Sequence, residues 1–327
     1  LAWLDRSLPH PLAPCQRDAV RSALTHKVTV MTGGPGTGKT TTVRAVLMLL
    51  RSRGCSARLA APTGRAAKRL AEATGVEART IHRLLELKPS EGWRFQRDED
   101  RPLDADMVVI DEMSMVDLPL MSALMRAVDV GTHVLFVGDA DQLPSVGPGN
   151  VLHDLVASSV VPTVALDQIF RQSATSFIVL NAHRINHGEM PLFDRHSRDF
   201  FLFKAKDAAT AADWVVDIVS HRIPERFGLH PVDDVQVLSP MHRGQAGVAA
   251  LNTRLQAVLN PPDPGRAEVA VGARVFRVGD KVMQVRNDYR KGVFNGDLGR
   301  LVAIDIAERR LEVSFEGARV TYEHHET

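Results

Sequence analysis

Residues 33–41 read GGPGTGKTT; they follow an apolar run, Val28-Thr29-Val30-Met31, and lead into a helix-like stretch, Thr41 to Arg53, that stops at Gly54. A strand feeding a glycine-rich turn into a helix N-terminus aims successive backbone N–H groups and the helix dipole at one spot, where the phosphates of a nucleotide are held. The pattern G-x-x-x-x-G-K-[ST] in that setting predicts a nucleoside triphosphate site built from Gly34, Pro35, Gly36, Thr37, Gly38, Lys39, Thr40 and Thr41. Lys39 is expected on the β- and γ-phosphates, and the Thr40 hydroxyl on Mg²⁺.

The chain has 327 residues, 44% of them hydrophobic, enough for about two domains with cores of their own. No apolar run approaches the roughly 18 residues of a membrane helix, and the start lacks a charged-then-apolar signal segment. The two cysteines, Cys15 and Cys55, have no partners at metal-ligand spacing, so the simplest expectation is a soluble, reduced, cytoplasmic protein without a membrane role. Leu1 at the first position and the finish at Glu326-Thr327 suggest a piece of a longer polypeptide.

Net charge is only +1, so bulk charge does not speak for nucleic acid, but local charge does more. Arg58 to Lys88 holds seven basic and three acidic residues, and Arg274 to Arg300 the same balance, while Asp98 to Asp117 sets eight acids against one arginine. The basic segments are candidates for phosphate contact or simply solvated faces.

Buried-strand candidates recur at Val28–Met31, Ala57–Ala61, Met107–Ile110, His133–Val137, Val161–Leu166 and Val235–Leu238, with helical patterns between them. That rhythm predicts an α/β fold with a parallel sheet wrapped by helices. Helices are expected over Gly64–Thr74, ending at Gly75; over Val116–Val128, with Asp117 as a cap and Pro119 in the first turn; and from Ser173 to His187, ending at Gly188. Lys88 to Asp106 interrupts the alternation and reads as a small inserted hairpin or loop around Trp93 and Phe95. The breaker cluster at 261–265 is the clearest boundary. Short alternating segments follow at Ala273–Val278, Lys281–Val285, Gly299–Ile304 and Leu311–Phe315, with turn signals at Asn295-Gly296-Asp297 and Glu316-Gly317, and they predict a small β-barrel-like subdomain.

Met107-Val108-Val109-Ile110 runs into Asp111-Glu112, which puts two carboxylates at the C-terminal end of a buried strand, where α/β sheets bind ligands. Beside a phosphate loop, Asp111 is the expected Mg²⁺ partner and Glu112 the base that orients and deprotonates the attacking water. Gln142, in the loop after the next strand, is placed to sense the γ-phosphate, or belongs to a polar loop with an Asx turn. Arg171 offers a cation that neutralises charge growing on the phosphoryl oxygens, or is a surface arginine. Gln16, just ahead of a helix, has an amide suited to adenine's edge.

In this order the motifs resemble those of superfamily 1 helicases of the RecD/TraA-like branch, across most of the sequence. Ala61-Pro62-Thr63-Gly64-Arg65-Ala66-Ala67 and Thr80-Ile81-His82-Arg83-Leu84-Leu85 are similar to that family's two DNA-contact motifs, and Asp139 to Gly149 to the glutamine motif that couples ATP to DNA. Leu238 to Arg243 is similar to a segment of the second motor domain, and Gly279 to Gln284 with Phe294 to Asp297 to the SH3-like insertion.

The resemblance implies two RecA-like domains with ATP and Mg²⁺ between them, and 5′→3′ movement on single-stranded DNA and its junctions with duplex. It also implies DNA contacts at Pro62, Thr63, Arg65 and His82, and a strand-separating pin at the insertion. Thr63 and Thr80 also read as helix caps, and Arg65 and His82 as surface or packed residues. The division it implies is 1–168 for a first motor domain carrying the insertion at about 88–106, 169–265 for an incomplete second one, and 266–327 for the SH3-like segment. Two further family motifs do not occur before Thr327, so weak turnover is expected of this stretch. The rival expectations are a nucleotide-dependent single-strand binding module without turnover, or another P-loop ATPase.

Overall fold

A computed structural model describes residues 11–88, 94–166, 176–194, 197–272, 274–288, 290–315 and 318–326. It divides into two units, Leu1–Phe200 and Phe201–Thr327.

The first unit is built on six parallel strands: β1 (Val28–Thr32), β2 (Ala57–Ala61), β3 (Ala78–Thr80), β4 (Met107–Ile110), β5 (His133–Gly138) and β6 (Thr163–Ala165), in the order β3-β2-β4-β5-β1-β6. Neighbouring residues on a strand fall on opposite faces. Met31, Leu59, Val109 and Leu135 accordingly join one apolar cluster, while Val30, Ala60, Val108 and Phe136 join another. All four residues of β4 are buried, as expected of a central strand covered on both faces.

The helices of this unit are α1 (Pro14–Thr25), α2 (Lys39–Ser52), α3 (Gly64–Thr74), the single turn α4 (Ile81–Leu84), α5 (Leu118–Arg126), α6 (Val151–Ser158) and α7 (Phe177–Asn186). Their ends follow from capping chemistry. The Thr63 side chain accepts the Ala66 N–H at the start of α3, and Gly75 closes it in the left-handed region at φ 66°. Asp117 accepts the Leu120 N–H at 2.9 Å to start α5. The expected helix over Val116–Val128 is therefore shorter at both ends, since Asp117 is a cap and not a helical residue.

β3 was not expected from sequence. The 88–106 insertion opens on an antiparallel bridge between Lys88 and Arg94 and is irregular from 95 to 106; Trp93 lies outside the described residues.

In the second unit, α8 (Ala208–Asp217) continues through a π-helical turn (Ile218–Arg222) into α9 (Ile223–Phe227), and α10 (Val248–Leu259) follows. The expected strand at Val235–Leu238 does not form. The segment has no strand partner among the described residues and Leu238 stays 88% exposed, so its apolar alternation has no sheet to join.

Strands β7 (Glu268–Val271) and β8 (Arg274–Arg277) make a hairpin, and β9 (Lys281–Met283), β10 (Leu298–Asp305), β11 (Arg310–Phe315) and β12 (Ala318–Glu323) an antiparallel sheet in the order β12-β11-β10-β9. Leu301, Leu311, Val313, Phe315, Val320 and Tyr322 form its core with Val293. β7 and β12 extend the four expected segments. Among the described residues, no helix is long and apolar enough to cross a membrane.

Candidate nucleotide-binding site

The loop between β1 and α2 is shaped by its glycines. Gly36 and Gly38 take φ of 78° and 86°, which side chains rarely adopt, and Gly38 is the N-cap of α2 with no side chain to close it. The first amides of α2 are thus left for an anion. Gly33 is needed for a different reason: a Cβ there would lie 2.8 Å from the Leu166 carbonyl and 2.7 Å from Thr37 Oγ1. At Gly34 nothing lies within 4 Å of where a Cβ would be, so the loop is open on that side. The Lys39 ammonium donates to the Gly33 carbonyl and, at 3.0 Å, to the Gly34 carbonyl, which holds the cation across the mouth of the cradle. The loop therefore fits a polyphosphate: open amides, a lysine and room for oxygens.

Across from it, β4 ends at Asp111 and Glu112. Glu112 sits in the left-handed region at φ 54° and ψ 43°, a conformation that costs a non-glycine residue about 1–3 kcal/mol and persists where the surroundings enforce it. The enforcing contacts are visible, since its N–H donates to Asp111 Oδ1 at 2.9 Å and its carbonyl accepts the Met115 N–H at 3.1 Å. Burial raises the pKa of Asp111, against the pull of the Glu112 N–H and of Lys39. Burial also raises that of Glu112, helped by the Asp111 charge and opposed by Lys39. A carboxylate made more basic in this way is a better proton acceptor near neutral pH.

Thr40, Thr63, Arg65, Asp111, Glu112 and Gln142 line one cleft of about 390 Å³ at the C-terminal edge of the sheet. Residues expected to touch nucleotide and residues expected to touch DNA thus meet in one place. Gln142 is held loosely, its Nε2 donating to Asp139 Oδ2 and its Oε1 accepting from Ser114 Oγ, both at 3.4 Å. Among the described residues, no cluster of three His, Cys, Asp or Glu side chains is arranged to bind a metal. Thr40 and Asp111 would hold Mg²⁺ only together with phosphate oxygens, as is usual for this ion beside a nucleotide.

The other expected site residues lie elsewhere. Gln16 is 4% exposed; its Oε1 accepts the Ala13 N–H at 3.0 Å and its Nε2 donates to the Thr37 carbonyl at 3.5 Å, so its amide braces the phosphate loop from behind. His82 does not line the cleft; its ring packs on Phe95 with centroids 6.0 Å apart. Pro62 joins β2 to α3, and Arg171 lies outside the described residues. Sequence reasoning missed Arg69, which also lines the cleft, one turn along α3 from Arg65; the i, i+4 spacing was the available signal.

Fold and cleft together define a P-loop nucleotide-binding domain of the RecA-like kind. Residues 16–148 match the AAA domain family model, and residues 251–315 match that of the SH3 domain of ATP-dependent RecD-like DNA helicases. The chain is 40% identical over 292 residues to the ATP-dependent RecD2 DNA helicase of Deinococcus radiodurans, a match covering 89% of this chain and 38% of that one. It is 34% identical over 329 residues to the RecD subunit of the RecBCD enzyme of Mycolicibacterium smegmatis, covering 88% and 57%. This chain thus combines an AAA-type nucleotide-binding domain with a RecD-like helicase SH3 domain, and over most of its length it is similar to RecD-like DNA helicases. It spans between about two fifths and three fifths of the length of these two relatives.

Two solved structures share the fold at 20% identity. One is of two coordinating Pif1 helicases at forked dsDNA, with TM-score 0.54, covering 95% of this chain and 76% of that one. The other is of Bacteroides Pif1 bound to ssDNA, with TM-score 0.53, covering 95% and 74%.

Proposed function

We propose that the protein carrying this chain is an ATP-dependent DNA helicase that moves 5′→3′ along single-stranded DNA and opens its junctions with duplex. The observation that carries this reading is the single cleft in which Lys39's neighbour Thr40, the Asp111–Glu112 pair and Gln142 meet Thr63 and Arg65. A change at the γ-phosphate is felt there within a few side chains of the groups that would grip the strand.

In this reading the loop amides and Lys39 bind the triphosphate, with Thr40 and Asp111 holding magnesium beside it. Magnesium, when bound, screens the charge that builds on the phosphate oxygens. Glu112 orients the attacking water and takes its proton, and Gln142 registers whether the γ-phosphate is present. Arg171 is assigned the arriving cation, as the sequence implies. Thr63 and Arg65 hold the strand through its phosphates, which are the same for every base, so binding is sequence-blind and weakens with salt. Thr63 also caps α3, which ties the strand-binding group to the geometry of that helix.

ATP turnover measured with and without oligo-dT tests the reading. DNA is expected to stimulate turnover, and Glu112→Gln to lower it by about 10²–10⁴-fold with nucleotide affinity little changed. Nucleotide and oligo-dT binding without turnover in the whole protein would reduce it to a binding module. Turnover indifferent to DNA would remove nucleic acid from the mechanism.

A further inference from the structure

The Gln142 amide has a partner at each end. Its Nε2 donates to Asp139 Oδ2 and its Oε1 accepts from Ser114 Oγ, both at 3.4 Å. Asp139, 5% exposed, closes the end of β5 into a tight turn: its carbonyl accepts the Gln142 N–H at 3.2 Å and its Oδ1 the Asp141 N–H at 3.1 Å. The Ala140 N–H donates to Thr32 Oγ1 at 3.1 Å and the Gly33 N–H to the Gly138 carbonyl at 3.2 Å. This turn is thereby stitched to the end of β1 and to the phosphate loop.

Ser114 comes from the other side. It is 7% exposed, in the middle of the single 3-10 turn, Met113–Met115, that Glu112 opens with its left-handed backbone. That turn lies close against the end of β5, since a Cβ on Gly138 would sit 3.2 Å from both N and Cβ of Met113. Two neighbours of different chemistry then decide which way the amide is turned. An ionised carboxylate only accepts hydrogen bonds, so Asp139 draws the amide nitrogen; a hydroxyl also donates, so Ser114 takes the amide oxygen. The reversed amide would set Oε1 against a carboxylate oxygen, where neither atom carries a hydrogen. With Nε2 on Asp139, one of its two N–H groups is engaged there and the other is left for an acceptor in the cleft that Gln142 lines.

We propose that Ser114 and Asp139 are positioning residues that fix the flip of the Gln142 amide, so that Gln142 meets the terminal phosphate of the nucleotide as a hydrogen-bond donor. This rests on the nucleotide reading above and says how one of its parts is held. Ionised phosphate oxygens accept and do not donate, so an amide presented oxygen-first would repel them. The clamp removes that orientation before the ligand arrives, and with it part of the cost of ordering the side chain. Both bonds are long, so the amide shifts toward the phosphate at little loss. Ser114 lies two residues from Glu112, which joins the water-activating carboxylate and the group that senses the γ-phosphate through one short turn.

A double-mutant cycle separates a clamp from a support of the fold. Affinities for a magnesium-bound non-hydrolysable ATP analogue and for magnesium-bound ADP are measured on the whole protein, and their ratio is read. The parent is expected to prefer the analogue, and Gln142→Ala to lower that preference about tenfold, the worth of one hydrogen bond to a charged oxygen. Ser114→Ala and Asp139→Asn are each expected to lower it about threefold to tenfold with ADP affinity unchanged. Asparagine keeps an oxygen for the Asp141 N–H but also offers the Gln142 amide a donor, so the flip is no longer enforced. In the Gln142→Ala background the same two changes are expected to cost nothing further. A parent that binds neither nucleotide sinks the nucleotide reading. A parent that binds both without preference, or single variants that keep its ratio, overturns the clamp alone. Equal losses with and without Gln142, or ADP weakened as much as the analogue, would make Ser114 and Asp139 supports of the fold and overturn it as well.

Discussion

The parallel sheet of the first unit and the antiparallel sheet of the second are both made of short apolar strands, yet only the first gathers chemistry at one edge. In the parallel sheet every strand ends on the same side, so the loop after β1, the carboxylates after β4 and Gln142 after β5 meet there, with Thr63 after β2 beside them. In the antiparallel sheet successive strands end on opposite sides, and the polar groups are spent on local pairs such as Tyr322 with Gln284 and Lys291 with Glu326. Strand direction, more than composition, decides where a site can assemble.

The comparison breaks most readily at the cores. Phe136 on β5 is 1% exposed, and Phe136→Ala should cost the first unit about 3–5 kcal/mol in chemical denaturation. A loss below 1 kcal/mol would mean that the central sheet is far looser than its burial implies.

The antiparallel sheet answers to smaller changes. Tyr322 Oη donates to Gln284 Oε1 at 2.7 Å and burial pushes the phenol up to about 12, so Tyr322→Phe removes one satisfied hydrogen bond while keeping the ring under Lys291. About 1 kcal/mol should be lost. No change would show that this bond is replaced by water at no net cost.

The smallest effect has the opposite sign. Glu112 has its pKa raised on folding, so its charge is less welcome in the folded state; the penalty is absent below the ordinary value of 4.5 and grows as pH rises through the raised one. Glu112→Gln should therefore melt above the parent at about pH 8, by roughly 2–4 °C for each kcal/mol relieved, and lose the advantage toward about pH 4. A parent that melts higher at both pH values would contradict the burial assigned to this carboxylate.

How much of this was legible in the sequence varied with how local each cause was. β1, β2, β4 and β5 were readable because strands whose middles are covered on both faces are mostly apolar, β4 throughout and the others apart from residues such as Thr29, Arg58 and His133. α3 was readable to the residue because Thr63 and Gly75 act on their own neighbours. The three residues of β3 carry no such mark, since pairing with β2 alone makes them a strand. Val235–Leu238 is apolar at three of its four positions, as a strand would be, and still has no strand partner among the described residues, which no local pattern reveals. At the site, Lys39, Asp111 and Glu112 came from short motifs. The inward turn of Gln16 and the packing of His82 on Phe95 depend on partners 21 and 13 residues away.

The central claim is that the loop at 33–40 holds a triphosphate through Lys39. Titration of a magnesium-bound non-hydrolysable ATP analogue into the parent and into Lys39→Ala measures it directly. The account predicts saturable one-site binding that weakens roughly 10- to 100-fold in the variant; equal affinity in the two proteins, or no binding to the parent, would contradict it.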